Sequence, residues 1–206
     1  LGAGLVMQAG SGAAGGQGAG IYFFHLASEC FFPPGCRLAD GIRVGNGFDI
    51  HRFSDAPDRV LVLGGVTFPG EPGLHGHSDA DVVAHAVAEA LLGAAGLGDL
   101  GSHFPDTDER WRGADSLELL AEVVRLLHED GWSAVNVDCS VIAERPKLAP
   151  HRDRMQVVLS DLVGAPVTVK GRRAEGIGGL GRAEGIACLA TALIETRVHF
   201  VDQRSS

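Results

Sequence analysis

The sequence predicts an α/β fold of the α+β type: a single domain with a mixed β-sheet covered by helices on one face. Segments with apolar residues at helical spacing are interleaved with segments that alternate apolar and polar residues. The connections between the alternating segments are long enough to be helical crossovers, which a sheet with helices packed on it requires. A third observation sets the domain boundary. Residues 1–40 hold nine of the 30 glycines and three charges (Glu29, Arg37 and Asp40), and the patterned sequence runs from Gly41 to the end, residues 41–206.

Ile42 to Phe53 reads as a strand, and Val60 to Phe68 as a short apolar run broken by Gly64 and Gly65, hence a hairpin or bulge. Across Asp79 to Ala94, Val82, Val83, Ala86, Val87, Ala90 and Leu91 recur at helical spacing, with Ser78 or Asp79 placed to cap the helix. A second helix spans Ala114 to Asp130, with Asp115 or Ser116 at its start, a stripe of Leu117, Leu120, Val124 and Leu127, and Gly131 as its stop. Val135, Val137, Cys139 and Val141 alternate with Asn136, Asp138 and Ser140, which is strand periodicity. Pro150 to Leu162 is a third helix with proline in its first turn, and Pro166 to Lys170 a strand. Ile186 to Ile194 fits strand or helix equally on periodicity alone.

With 45% hydrophobic and 21% charged residues, the 206-residue chain has globular composition. Its net charge of −9 argues against general affinity for nucleic acid or anionic membrane, so any phosphate must be held locally by a few cations or a metal. Cys30, Cys36, Cys139 and Cys188 form no Cys-x-x-Cys pair and are too sparse for a disulfide scaffold, which predicts a reducing compartment. No apolar run reaches the roughly 18 residues of a membrane span, so the expectation is a soluble protein. Gly10 to Gly20 has nothing to bury, and residues 1–40 are expected to be a poorly ordered extension. With Arg37 as its one Lys or Arg and no basic segment before Ile21 to Phe24, that extension does not read as a targeting signal.

Chemistry concentrates at four places. In Asp49-Ile50-His51, residues i and i+2 of a strand project to one face, which is half of a tetrahedral zinc site or, standing alone, a structural salt link. Asp81 and His85 lie at i and i+4 on one helix face, where both reach one centre or one binds metal while the other orients a neighbour. Three protein ligands would leave the fourth zinc position open, the catalytic arrangement. His77 and Ser78, near a helix N-terminus, suit a phosphate, and His75 reads as an exposed loop histidine. Gly98-Asp99-Leu100-Gly101 and Phe104-Pro105-Asp106-Thr107-Asp108 bring three carboxylates into a Gly/Pro loop, suited to the hydroxyls of a polyol or ribose, or simply solvated.

The runs Arg43 to Phe53, His77-Ser78-Asp79-Ala80-Asp81-Val82, Gly98 to Asp108 and Arg145 to His151 resemble the 2-C-methyl-D-erythritol 2,4-cyclodiphosphate synthase family of the non-mevalonate isoprenoid pathway. The likeness extends over Gly41 to Arg197, in order and with the family's spacing. It implies a homotrimer with active sites between neighbouring subunits, located in the cytoplasm or alternatively the plastid stroma, and it makes Ile186 to Ile194 a strand. The implied reaction is attack of the 2-phosphate of 4-diphosphocytidyl-2-C-methyl-D-erythritol 2-phosphate on the β-phosphorus of its CDP group, closing a cyclic diphosphate and releasing CMP. By resemblance, Asp49, His51 and His85 match ligands of a Zn2+ ion, with Asp81 a neighbour of the site. His77 matches a residue that stabilises the transition state, with Ser78 beside it on the phosphate. Asp49, Ile50, His51, Asp99, Leu100 and Gly101 fall where the family contacts substrate, and Phe104, Pro105, Asp106, Thr107 and Asp108 line the methylerythritol pocket. Ala143, Glu144, Arg145, Pro146, Lys147, Leu148 and Ala149 match the cytidine-binding loop. Glu175 matches the ligand of a second divalent cation, magnesium or manganese, that bridges the diphosphate.

One stretch departs from the family. Its usual Lys-Ala-Thr-Thr-Thr-Glu run is Lys170-Gly171-Arg172-Arg173-Ala174-Glu175 here, so the threonine that helps stabilise the transferring phosphate is Arg173, flanked by Arg172 and Ala174. Gly179 stands where the family often has Phe and Asn46 where it often has His, while Arg182 opens the run that matches the family's Arg-Gly-Glu-Gly-Ile. Two readings follow: an active cyclase, and a zinc-stabilised trimer of the same fold with weak or no cyclase activity that serves as a binding or assembly partner.

Overall fold

A computed structural model describes residues 41–197 except Asp106 and Arg112; the predicted extension, residues 1–40, and residues 198–206 lie outside the described residues. In chain order the elements are β1 (Ile42–Arg52), β2 (Val60–Leu63), β3 (Val66–Pro72), α1 (Val82–Ala95), α2 (Leu100–His103), a 3-10 turn (Glu109–Trp111), α3 (Ser116–Glu129), β4 (Trp132–Ile142), α4 (Arg152–Val163), β5 (Val167–Arg172), α5 (Gly178–Gly181) and β6 (Gly185–Thr196). Strands order β1-β6-β4-β5 in one sheet, with β2 and β3 a separate hairpin. β4 and β5 run parallel and the other neighbours antiparallel, so the sheet is mixed, as predicted. The ambiguous Ile186 to Ile194 segment is the central strand β6: Ile186, Cys188, Ala190, Ala192 and Ile194 are buried, while Leu189 and Thr191 face the other way.

Helix α1 seats on β1 through two glycines. A Cβ at Gly47 would stand 2.1 Å from the Ala86 carbonyl oxygen, and one at Gly45 2.2 Å from that of Ala90. Small residues on both sides let the two backbones touch, and this contact brings His85 beside the end of β1.

The start of α1 corrects the predicted cap. The helix begins at Val82, and its cap is Asp81, not Ser78 or Asp79. Asp81 Oδ1 accepts the N–H groups of Val83 (3.0 Å), Ala84 (3.1 Å) and Gly64 (2.8 Å), and Oδ2 that of Gly65 (2.7 Å). Gly64 and Gly65 have φ of +57° and +70°, the left-handed pair of a two-residue hairpin turn. Asp81 is therefore a buried clamp between hairpin and helix; burial pushes its carboxyl pKa up, against those N–H donors. Its two oxygens are directed to those backbone N–H groups, and the set of residues that could hold a metal ion, Asp49, His51 and His85, does not include it.

Helices cover one face of the sheet. On the opposite face Ile42, Val44, Phe48 and Ile50 of β1 and Leu189 of β6 are 44% to 66% exposed, with Phe48 directly across from Leu189.

Candidate active site

Asp49 and His51 project from the end of β1, and His85 meets them from the second turn of α1. Each offers one ligand atom, and the three atoms lie within 4.8 Å of one another. Asp49 Oδ2 is 3.0 Å from His51 Nε2 and 2.9 Å from His85 Nδ1. His51 Nδ1 lies 2.8 Å from the His75 carbonyl oxygen, which accepts only, so Nδ1 carries a proton and the neutral ring presents its lone pair at Nε2. That Nε2 is buried and makes no hydrogen bond. A bare nitrogen aimed at a carboxylate oxygen, with a second imidazole nitrogen beside it, fits a bound cation, and one carboxylate and two imidazoles are zinc ligands. Burial pushes the Asp49 carboxyl up, but the two imidazoles more than offset this and hold it well below the usual carboxylate range. For His51 burial pulls the other way, yet the Asp49 carboxylate and the His75 carbonyl raise its pKa above the ordinary value.

A cleft of about 350 Å³ opens beside this group. It gathers Asp49, His51, His77, Ser78, His85, Leu100, Gly101 and Phe104 of the expected set. It also holds Phe48, Glu89, Trp111 and Leu119, which sequence reasoning missed. Glu89 was open to detection, since it stands four residues after His85 on the same helix face; its Oε1 accepts the Leu100 N–H at 3.0 Å and so places α2. Trp111 packs edge-on to Phe104 with centroids 5.1 Å apart. His77 Nε2 and Trp111 Nε1 are buried and make no hydrogen bond among the described residues. Of the three loop carboxylates, Asp99 caps α2 by accepting from Ser102 N (2.8 Å) and Oγ (2.6 Å), and Asp108 binds Arg110 Nε (2.9 Å). Those local partners hold both carboxyls below their ordinary values. Pro105, Thr107 and Asp108 do not line the cleft, and Asp106 lies outside the described residues.

A second cleft, about 440 Å³, joins Ala143, Glu144 and Pro146 to Ala149 with Arg152, Arg172 and Arg173. The Ala143 to Ala149 run and the arginine departure thus share one wall, and among the described residues none lines both clefts. Arg173 donates from Nε (3.0 Å) and Nη2 (2.8 Å) to Glu144 Oε2, and this pairing lowers the Glu144 pKa. Arg145 turns away, 3.8 Å from Glu71 and over the Phe53 ring. Glu175 has a left-handed backbone (φ +51°) and joins no group of three ligands among the described residues. Ile50 and Gly179 line a smaller cleft beside His51, and Arg182 pairs with Glu184 at 2.6 Å.

Comparison with known proteins bears on this arrangement. A protein of Rubrobacter xylanophilus named 2-C-methyl-D-erythritol 2,4-cyclodiphosphate synthase is 54% identical over 162 residues, covering 77% of this chain and 98% of its own. One of the same name from Geobacillus kaustophilus is 51% identical over 156 residues, 74% of this chain and 98% of that one. Among solved structures, IspF of Plasmodium falciparum in complex with CDP superposes with a TM-score of 0.67 at 30% identity, covering 77% of this chain and 99% of that chain. The model of the YgbB family matches residues 42–195, the sheet and both clefts included, and the chain belongs to that family.

Proposed function

We propose that the chain cyclises 4-diphosphocytidyl-2-C-methyl-D-erythritol 2-phosphate to 2-C-methyl-D-erythritol 2,4-cyclodiphosphate with release of CMP, in isoprenoid precursor biosynthesis. The observation that carries this reading is the buried His51 Nε2, which makes no hydrogen bond among the described residues, converging with Asp49 and His85 beside His77 and Ser78, in a chain about half identical over three quarters of its length to proteins named for that synthase. Asp49, His51 and His85 are the residues that would hold zinc. When bound, the ion supplies positive charge that polarises a phosphoryl oxygen. An oxygen of the 2-phosphate forms the new bond to the β-phosphorus as the bond between the β-phosphorus and the α-phosphate oxygen breaks, and CMP leaves with that electron pair. Nucleophile and leaving group belong to one substrate, so the reaction is a lyase step that needs no water, and the protein's part is positioning and charge neutralisation. His77 and Ser78 meet the phosphate, Phe104 and Trp111 face the methylerythritol, and Lys147 with Arg172 and Arg173 faces the CDP group. Glu175 is assigned to a magnesium or manganese ion on the diphosphate. The test is CMP release from authentic substrate with zinc and manganese present; no release from the zinc-loaded protein overturns the reading.

The assembly proposed is a homotrimer whose active sites pair the zinc cleft of one subunit with the Arg172/Arg173 cleft of the next. Support comes from the exposed apolar stripe on β1 and β6 and from two clefts with no lining residue in common among the described residues. Light scattering should return three times the subunit mass, and Val44→Asp should shift it to one subunit; a wild-type monomer at micromolar concentration would sink the shared site. The free, buried Cys139 and Cys188 support a reducing compartment, the cytoplasm or the stroma. Among the described residues no helix is long and apolar enough to cross a membrane.

Arg173 stands in place of a threonine and retains exposed guanidinium surface beyond Glu144. Arg173→Ala removes a charge-assisted contact to the diphosphate, so turnover or affinity should drop about ten- to a hundredfold. A rate that instead rises when threonine replaces both arginines would show that they obstruct the cleft.

A further inference from the structure

Behind the three-ligand group a chain of polar contacts runs inward from His85. Its Nδ1 meets Asp49 Oδ2 at 2.9 Å and its Nε2 meets Ser116 Oγ at 2.9 Å. Ser116, the first residue of α3 and fully buried, hydrogen-bonds through the same Oγ to Asp79 Oδ1. Both Asp79 oxygens act as acceptors, since Oδ1 also takes the Asp81 N–H (3.1 Å) and Oδ2 the Ser116 N–H (3.3 Å). The hydroxyl proton of Ser116 therefore points to Asp79, and its Oγ presents lone pairs to His85. His85 can answer that acceptor only with Nε2–H. A neutral imidazole has one N–H, so two acceptors compete for it: Ser116 Oγ draws it to Nε2, which leaves the Nδ1 lone pair for a cation, and the Asp49 carboxylate draws it to Nδ1. Ser78 Oγ sits farther out, 3.3 Å from Nε2 and 3.4 Å from Ser116 Oγ, and accepts the Ala80 N–H.

We propose that Asp79 and Ser116 are positioning residues for His85, biasing its tautomer and holding its ring orientation so that Nδ1 is delivered as a metal ligand. This rests on the metal reading of Asp49, His51 and His85. His51 gets the same service from a backbone carbonyl, that of His75, which no substitution removes; His85 depends on two side chains from separate segments. Those segments are also joined by backbone bonds, Asp79 N–H to Ala114 O (3.0 Å) and Gly113 N–H to His77 O (2.8 Å). Removing the hydroxyl thus leaves their attachment in place.

The test uses the full chain as wild type, Ser116→Ala and Ser116→Thr, stripped with a chelator. Zinc affinity is measured by competition with a chromophoric chelator, and the His85 tautomer by histidine side-chain nitrogen NMR of the metal-free protein at alkaline pH. Wild type should hold a larger share of the Nε2–H tautomer than Ser116→Ala. Ser116→Ala should bind zinc about 10- to 100-fold more weakly and populate the Nδ1–H tautomer. Ser116→Thr, which keeps the hydroxyl, should restore both, a rescue that a merely structural role does not require of the tautomer. Equal zinc affinity and an unchanged tautomer in Ser116→Ala overturn the proposal alone. A wild-type chain that takes up no zinc overturns the metal reading and the proposal with it.

Discussion

His85→Ala is expected to empty the metal site while leaving the subunit folded. Apparent zinc-binding free energies of about 10–16 kcal/mol for four-ligand structural sites put each ligand at about 3 kcal/mol, so affinity should fall by about a hundredfold or more. His85 lies at the rim of the core, its side chain 14% exposed, and the residues that hold α1 on the sheet are its neighbours Ala86 and Ala90. Metal-free wild type and His85→Ala should therefore melt together. Adding zinc should raise only the wild type, by about 2.7 kcal/mol when free zinc exceeds the dissociation constant a hundredfold. CMP release should collapse in the variant. Unchanged zinc stoichiometry by elemental analysis would show that the ligands are assigned wrongly.

Gly47→Ala should be among the most damaging single-methyl additions in the chain. The new Cβ falls 2.1 Å from the Ala86 carbonyl oxygen and 2.6 Å from the Ala90 nitrogen, so the obstacle is helix backbone with no rotamer to yield. Helix α1 must lift by roughly 1 Å to restore ordinary contact, and eleven of its residues are buried, so the cost is about 3 kcal/mol or more. That is a large share of the roughly 5–15 kcal/mol that holds a domain together. Lifting α1 also draws His85 away from Asp49, and zinc affinity should fall with stability. Gly93→Ala is the control: it lies on the exposed side of α1, its Cβ would meet only the Asn46 carbonyl at an ordinary 3.6 Å, and helix propensity makes it neutral or stabilising by up to about 1 kcal/mol. A urea midpoint for Gly47→Ala equal to that of wild type would refute the close contact.

Much of the fold was legible because its elements bury one face each. The stripe of Leu120, Val124 and Leu127 and the alternation of Val137, Cys139 and Val141 survive as buried positions of α3 and β4. β6 was not legible from its own residues. Its run of small apolar side chains satisfies both periods, and what makes it a strand is that β1 and β4 pair with it on either side. The resemblance resolved it before the pairing was known. The start of α3 at Asp115 and Ser116 was legible, but that of α1 only to within a few residues, since Ser78, Asp79 and Asp81 are all cap formers and the choice fell to the one that the Gly64-Gly65 turn could also reach.

At the site, i, i+2 spacing in one strand was enough to set Asp49 and His51 on a common face, because strand geometry is local. The sequence by itself determined the residue types for a carboxylate-imidazole metal group, the alternating sheet and the small residues at Gly45, Gly47, Ala86 and Ala90. The i, i+4 spacing left Asp81 and His85 equal and the resemblance chose His85; only the tertiary structure decided that Asp81 is spent on the Gly64-Gly65 turn, that Ser116 and Asp79 stand behind His85, and that Arg173 lies against Glu144. The physical reason is range: side-chain direction within a strand or helix follows from a few backbone dihedrals, whereas contacts between residues 29 to 37 positions apart exist only after α1 has docked on β1, α3 has met the start of α1, and β5 has paired with β4.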